Sequence, residues 1–94
     1  MISHDVLAAY AADAAREVDG VVDLVDGPRR HHGVRVTEDE GAFSLEVHVA
    51  VGWGERAPDV GAAVQRRVAE YVRRTAKVSV TVDVVVAGVA APDH

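Results

Sequence analysis

A chain of 94 residues that is 49% hydrophobic, with a single Phe, a single Trp and two Tyr, has room for one domain with a core built mainly from Val and Ala. Its net charge of −5 opposes non-specific attraction to nucleic-acid phosphates and to anionic lipid surfaces. The absence of cysteine excludes a disulfide framework, a thiolate metal site and thiol redox chemistry.

The N-terminal apolar residues are interrupted by Asp5 and Asp13 and preceded by no basic region, so they read as neither a signal peptide nor a membrane span. Ser3 stands where a helix N-cap belongs, and Asp5 in the first turn complements the positive end of the helix dipole. Val6, Leu7, Tyr10, Ala11, Ala14 and Val18 recur at helical spacing, which predicts an amphipathic helix with an Ala-rich face, ended by Gly20 as C-terminal cap. Val21 to Val25 is a brief apolar run, either a short strand or an extended segment. The stretch from Asp26 to Gly33 carries turn residues at both ends and Arg29, Arg30, His31 and His32 inside, and is expected to be an exposed loop.

Val34 and Val36 alternate with Arg35 and Thr37, and Glu38-Asp39-Glu40-Gly41 forms an acidic turn into the next segment, the pattern of an antiparallel hairpin. Phe43, Leu45, Val47, Val49 and Val51 then share one parity, opposite Ser44, Glu46 and His48, which marks a strand that buries one face. Gly52-Trp53-Gly54 ends this strand in a flexible loop. Pro58 suits the first turn of a second helix, with Val60, Val64, Val68 and Val72 along one stripe, flanked by Ala63, Tyr71 and Thr75. Arg66, Arg67, Arg73 and Arg74 lie opposite. A helix over 58–75 would run ~27 Å and the strand over 43–51 ~30 Å, so the two match end to end. Val78, Val80, Val82, Val84 and Val86 repeat the strand pattern, with Val85 breaking it, and a short frayed tail is expected from about residue 90.

The order α-(β)-β-β-α-β predicts one α+β domain over 1–94, a two-layer sandwich in which a small, mainly antiparallel sheet of three to four strands carries two helices on one face. The other sheet face is expected to be polar, with Arg35, Thr37, Ser44, Glu46, His48, Ser79, Thr81 and Asp83. Ser44 or Ser79 with His48 and Asp83 contains the residue types of a catalytic triad, but a flat solvated sheet face supplies neither an oxyanion hole nor walls against water. No catalytic residue is therefore assigned. His31 and His32 are adjacent and lack the further ligands a zinc site needs, and no cofactor motif occurs, so neither metal nor cofactor is expected. The candidate partner-binding residues are Arg66, Arg67, Arg73 and Arg74, the only concentrated positive charge on an acidic chain, and Trp53, which can serve as an exposed anchor or fold back over the core. Use of the arginine face by a small nucleic-acid-binding module is the alternative to protein binding.

Several segments together resemble the alkaline shock protein family (Asp/Gls type) of bacterial envelope stress proteins. Ile2-Ser3, then Ala14-Ala15-Arg16-Glu17-Val18-Asp19-Gly20-Val21, are similar to its first helix; Gly33-Val34-Arg35-Val36 looks like its Gly-Val-x-Val strand. Pro58-Asp59-Val60, Val64-Gln65-Arg66-Arg67-Val68 and the closing Val80-Thr81-Val82-Asp83-Val84 through Gly88-Val89 resemble its later elements. The departures are the added glycine before Trp53 and Thr75-Ala76-Lys77, which lacks the family's Thr-Gly. The resemblance implies a non-enzymatic cytoplasmic protein of cell-envelope homeostasis, brought to the inner membrane surface by a membrane-anchored protein partner rather than by insertion. It also implies self-association, for which unpaired sheet edges offer a physical route to a homo-oligomer.

Overall fold

The computed structural model describes residues 2–90 and contains, in order, α1 (His4–Arg16), β1 (Val21–Leu24), β2 (Val34–Asp39), β3 (Ala42–Gly52), α2 (Ala57–Ala76) and β4 (Val80–Ala90). The expected frayed tail lies outside the described residues apart from Ala90, which closes β4.

β3 is the centre of the sheet. On one side β2 pairs antiparallel with its first half, Val34 opposite Val47 and Asp39 opposite Ala42, and β1 pairs antiparallel with its second half, Val21 opposite Val51 and Leu24 opposite Val49. β4 lies along the other side, parallel to β3 from Phe43 opposite Val80 to Gly52 opposite Ala90. This last pairing has to be parallel because α2 carries the chain back to the end of the sheet where β3 began. The architecture is the expected α+β sandwich, and the brief run after Gly20 is a strand.

Parity decides the burial of β3: Leu45, Val47, Val49 and Val51 are fully buried, while Ser44 is exposed and Glu46 and His48 are half-buried. α1 packs on β1, β2 and β3 through Leu7, Ala8, Ala11, Ala12, Ala14 and Ala15. The buried face is thus rotated from the expected stripe: Val6 is 39% exposed, while Ala8 and Ala12 face inward. Alanine permits this by letting the helix backbone lie close to the sheet. α2 packs against α1 and β4, with the expected Val60, Val64, Val68 and Val72 buried.

Ser3 Oγ accepts a hydrogen bond from the Val6 amide at 3.1 Å, as an N-cap should. The C-cap is Glu17 rather than Gly20, because the helix hydrogen bonding ends at Arg16 and a turn intervenes. Gly20 serves instead at the approach of α2: its φ is +97°, and a Cβ there would stand 2.7 Å from Val60 Cγ2. Gly33 has the same character, with φ +82° and a would-be Cβ 2.7 Å from Leu24 Cβ. The two glycines of the Gly-Val motifs are thus fixed by sterics. Glu40 and Gly41 both have positive φ and close the β2–β3 hairpin in two residues.

The strand expected from Val78 begins at Val80 and runs on to Ala90. A register shift follows the Val49–Val86 pair, so that Ala50 meets Gly88 and Ala87 is the extra residue of a bulge. Of the valines expected beneath the helices, Val82 is buried and Val80 and Val84 half-buried, but Val86 is 37% exposed. Val89 is 56% exposed. The end of β4 is thus only partly covered, with Val85, Val86 and Val89 exposed and Gly88 and Ala90 half-buried.

Candidate interaction surface along α2 and β4

β4 pairs only with β3, so its outer edge is free among the described residues. α2 lies beside that edge, and the seam between them holds two depressions. One, of about 500 Å³, is bordered by Gly61, Ala62, Gln65, Asp83, Val84 and Val86. The other, of about 370 Å³, is bordered by Arg66, Ala69, Glu70, Arg73, Ser79 and Val80. Between them Gln65 Nε2 donates a 2.9 Å hydrogen bond to the Val82 carbonyl. The carbonyl such a side chain can reach is one on the outer edge, because those turned inward are occupied by β3. By the alternation of a strand, Val80 and Val84 turn their backbone groups to the same edge.

The four candidate arginines separate into two pairs. Arg66 and Arg73, seven positions apart, border the seam and have no salt-bridge partner among the described residues. Arg67 reaches Glu17 at 3.6 Å and so ties α2 to the end of α1, and Arg74 reaches Glu70 at 3.6 Å along its own helix. Trp53 is 70% exposed in the turn before α2, so it does not fold back over the core. The length of α2, ~30 Å, separates it from Arg73 and Arg74, so the structure does not join Trp53 to the arginines in one site.

The polar sheet face is as the alternation predicts, with Arg35, Thr37, Ser44, Glu46 and Asp83 around a shallow depression of about 200 Å³. His48 Nε2 donates to Glu46 Oε1 at 2.6 Å. That bond holds the Glu46 carboxyl below its ordinary pKa, with Arg35 and Arg30 adding a smaller pull. His48 is thus oriented by a neighbour on its own strand, and Asp83, set opposite Glu46 in the register, makes no hydrogen bond to it. Ser79 lies before the start of β4, at the basic depression. A proton-relay geometry joining serine, His48 and Asp83 is not assembled.

In the β1–β2 loop, His31 Nδ1 and His32 Nε2 lie 3.7 and 3.9 Å from Asp5 Oδ1. No group of three or more His, Asp or Glu side chains among the described residues is placed to hold a metal ion. Asp26 Oδ1 accepts from the Gly27 and Gly33 amides, which keeps its carboxyl below the usual value and closes the loop on itself. No helix of the described residues is long and apolar enough to cross a membrane.

Gln65, Gly61 and Ala62 were not singled out by the sequence pattern. Gly61 offered a signal, since a glycine inside a helix costs about 1 kcal/mol relative to alanine and calls for a packing reason. A Cβ on Gly61 would stand 3.9 Å from Val84 Cγ1, an ordinary contact, so packing within the chain does not require the glycine.

A protein-family model described as "Asp23 family, cell envelope-related function" matches residues 1–91. The chain belongs to the Asp23 family. The match spans the segments on which the alkaline-shock resemblance rests. No curated protein matches this Asp23-family chain. Two solved structures are similar to it, "MamM-CTD H264A" at 13% identity and TM-score 0.62, and "MamM CTD H264A-E289A" at 16% identity and TM-score 0.61. Each alignment covers 97% of this chain and 100% of the other. At these identities the likeness is one of fold.

Proposed function

We propose that this Asp23-family chain is a non-enzymatic interaction module of the cell-envelope stress response, cytoplasmic and held at the inner face of the membrane by a membrane-anchored protein partner. The observation that supports this most is the outer edge of β4: a valine-rich strand of 11 residues whose free side is bordered by a seam rather than covered by a helix. Soluble proteins protect such edges, and an edge left accessible is a surface for binding by strand addition. The family's cell envelope-related function supplies the setting. A net charge of −5 disfavours direct adsorption to anionic lipid, so a protein anchor is the more economical link.

The nucleic-acid alternative draws less support, because Arg67 and Arg74 are engaged with carboxylates and two arginines alone make a small electrostatic footprint.

The reading is tested by sedimenting the purified chain with inside-out membrane vesicles from the native host, with the same vesicles after protease treatment, and with protein-free liposomes of the same lipids. Binding to the intact vesicles alone is expected. Equal binding to liposomes, or none to intact vesicles, would contradict it.

A further inference from the structure

We propose that the α2–β4 seam receives an extended acidic segment of a partner protein, added as a strand to the outer edge of β4. Its carboxylates lie against Arg66 and Arg73, and its apolar side chains sit over Gly61 and Ala62. The proposal rests on the interaction reading above and gives the partner's contact a chemistry.

Three observations converge. First, the free edge is addressable over Val80 to Val86, ~20 Å of strand, and among the described residues only the Val82 carbonyl along it is occupied, by the Gln65 amide. Gln65 is an exposed, flexible side chain, so it serves as a removable cover for a group that an added strand would engage. Second, the seam differs at its two ends. Small residues of α2 face Val84 and Val86 at one end, which leaves space for incoming side chains, while Arg66, Arg73 and the Ser79 hydroxyl stand at the other. Glu70 shares the basic end, but Arg74 engages it at 3.6 Å. Third, Arg66 and Arg73 have no salt-bridge partner among the described residues, and two guanidinium groups beside an open strand edge recognise carboxylates by charge-assisted hydrogen bonds.

A second copy of this chain is a poorer occupant. Its β4 carries a single carboxylate, Asp83, which sits opposite Glu46 in the sheet and borders the apolar end of the seam rather than the basic one. Pairing two such strands would leave the arginines unmatched and bring together two chains of net charge −5.

The test uses the full chain, ¹⁵N-labelled, and a fluorescein-tagged synthetic peptide with alternating Val and Thr in one half and alternating Glu and Thr in the other. Binding by anisotropy is expected to weaken at least about tenfold in the double variant Arg66→Glu/Arg73→Glu. It should stay within about twofold in Arg67→Glu/Arg74→Glu, which carries the same change in net charge at arginines outside the seam. Gln65→Ala, by uncovering the Val82 carbonyl, is expected to tighten binding several-fold, an effect that charge alone would not produce. Amide shifts should concentrate on Val80, Val82 and Val84. No binding at millimolar peptide, equal weakening by both double variants, or shifts confined to the polar sheet face would overturn the proposal. So would tighter binding of a single-stranded oligonucleotide that is lost in the same Arg66/Arg73 variant, or a chain that dimerises through β4 and excludes the peptide. Failure here with membrane-vesicle binding intact removes this seam and leaves the interaction reading standing. Loss of vesicle binding with the peptide result intact does the reverse.

Discussion

The His48–Glu46 pair is where chemistry on the sheet's polar face is most constrained, and the constraint is electrostatic. A carboxylate that accepts a 2.6 Å hydrogen bond from an imidazole is stabilised in its charged form, so the folded-state pKa of Glu46 lies below its unfolded value. A group depressed in this way adds stability that is fully present above its unfolded pKa and drains away as pH falls through the folded one. Asp26, lowered by the Gly27 and Gly33 amides, contributes with the same sign. Glu46→Gln should therefore lower stability between pH 6 and 8, where the charged pair contributes in full, and the deficit relative to the parent chain should shrink as pH falls below about 4, flattening the acid limb, as read from urea midpoints across pH. An acid limb as steep as that of the parent chain would show that the pair contributes nothing. Ser3 was legible in advance as the cap it makes, but Gly20 was expected to cap α1 and Gly33 only to turn a loop, whereas both hold positions where a side chain would strike Val60 or Leu24, a constraint set by packing that local sequence does not show. Trp53 was not legible: a lone aromatic between glycines has no periodicity from which its direction can be read.

Among the elements, β3 and α2 follow from their patterns almost without remainder. The period-two burial of Leu45 to Val51 and the valines at every fourth position of α2 are each a direct consequence of backbone geometry meeting a single apolar layer. Val68 sits mid-stripe, fully buried, and its truncation to alanine removes two methyl groups from the core. Val68→Ala should cost ~2 kcal/mol, seen as a lower urea midpoint at unchanged slope, whereas a cost under ~0.5 kcal/mol would mean that the α2 face is not packed as described. α1 and β4 were less legible for different reasons. Alanine on several sides of α1 leaves its apolar moment weak, so the stripe could be drawn through Val6 as readily as through Ala8 and Ala12. In β4 a bulge at Ala87 breaks the two-residue period, and a parity argument carried through it misplaces Val86.

At the scale of the whole molecule the sheet is asymmetric. One side of β3 is closed by two short strands in line, while the other carries a single strand of 11 residues whose outer edge is open. Which strand is the edge, and hence where a partner can add, depends on the crossover direction of α2. Local sequence does not encode that, so the place of Gln65 and Gly61 at the edge is not legible from the pattern, while the arginines on the same helix stand out by charge. On the reading proposed above, this edge and the seam beside it are where the chain meets its partner. Amide hydrogen exchange of the purified chain, free and bound to native inside-out membrane vesicles, checks this. New protection is expected at Val80, Val82 and Val84, with slower exchange in α2 over 61–73, and no change at Trp53 or on the polar sheet face. Protection confined to the Trp53 turn or to the strand pair β2–β3, with β4 exchanging as in the free chain, would contradict it.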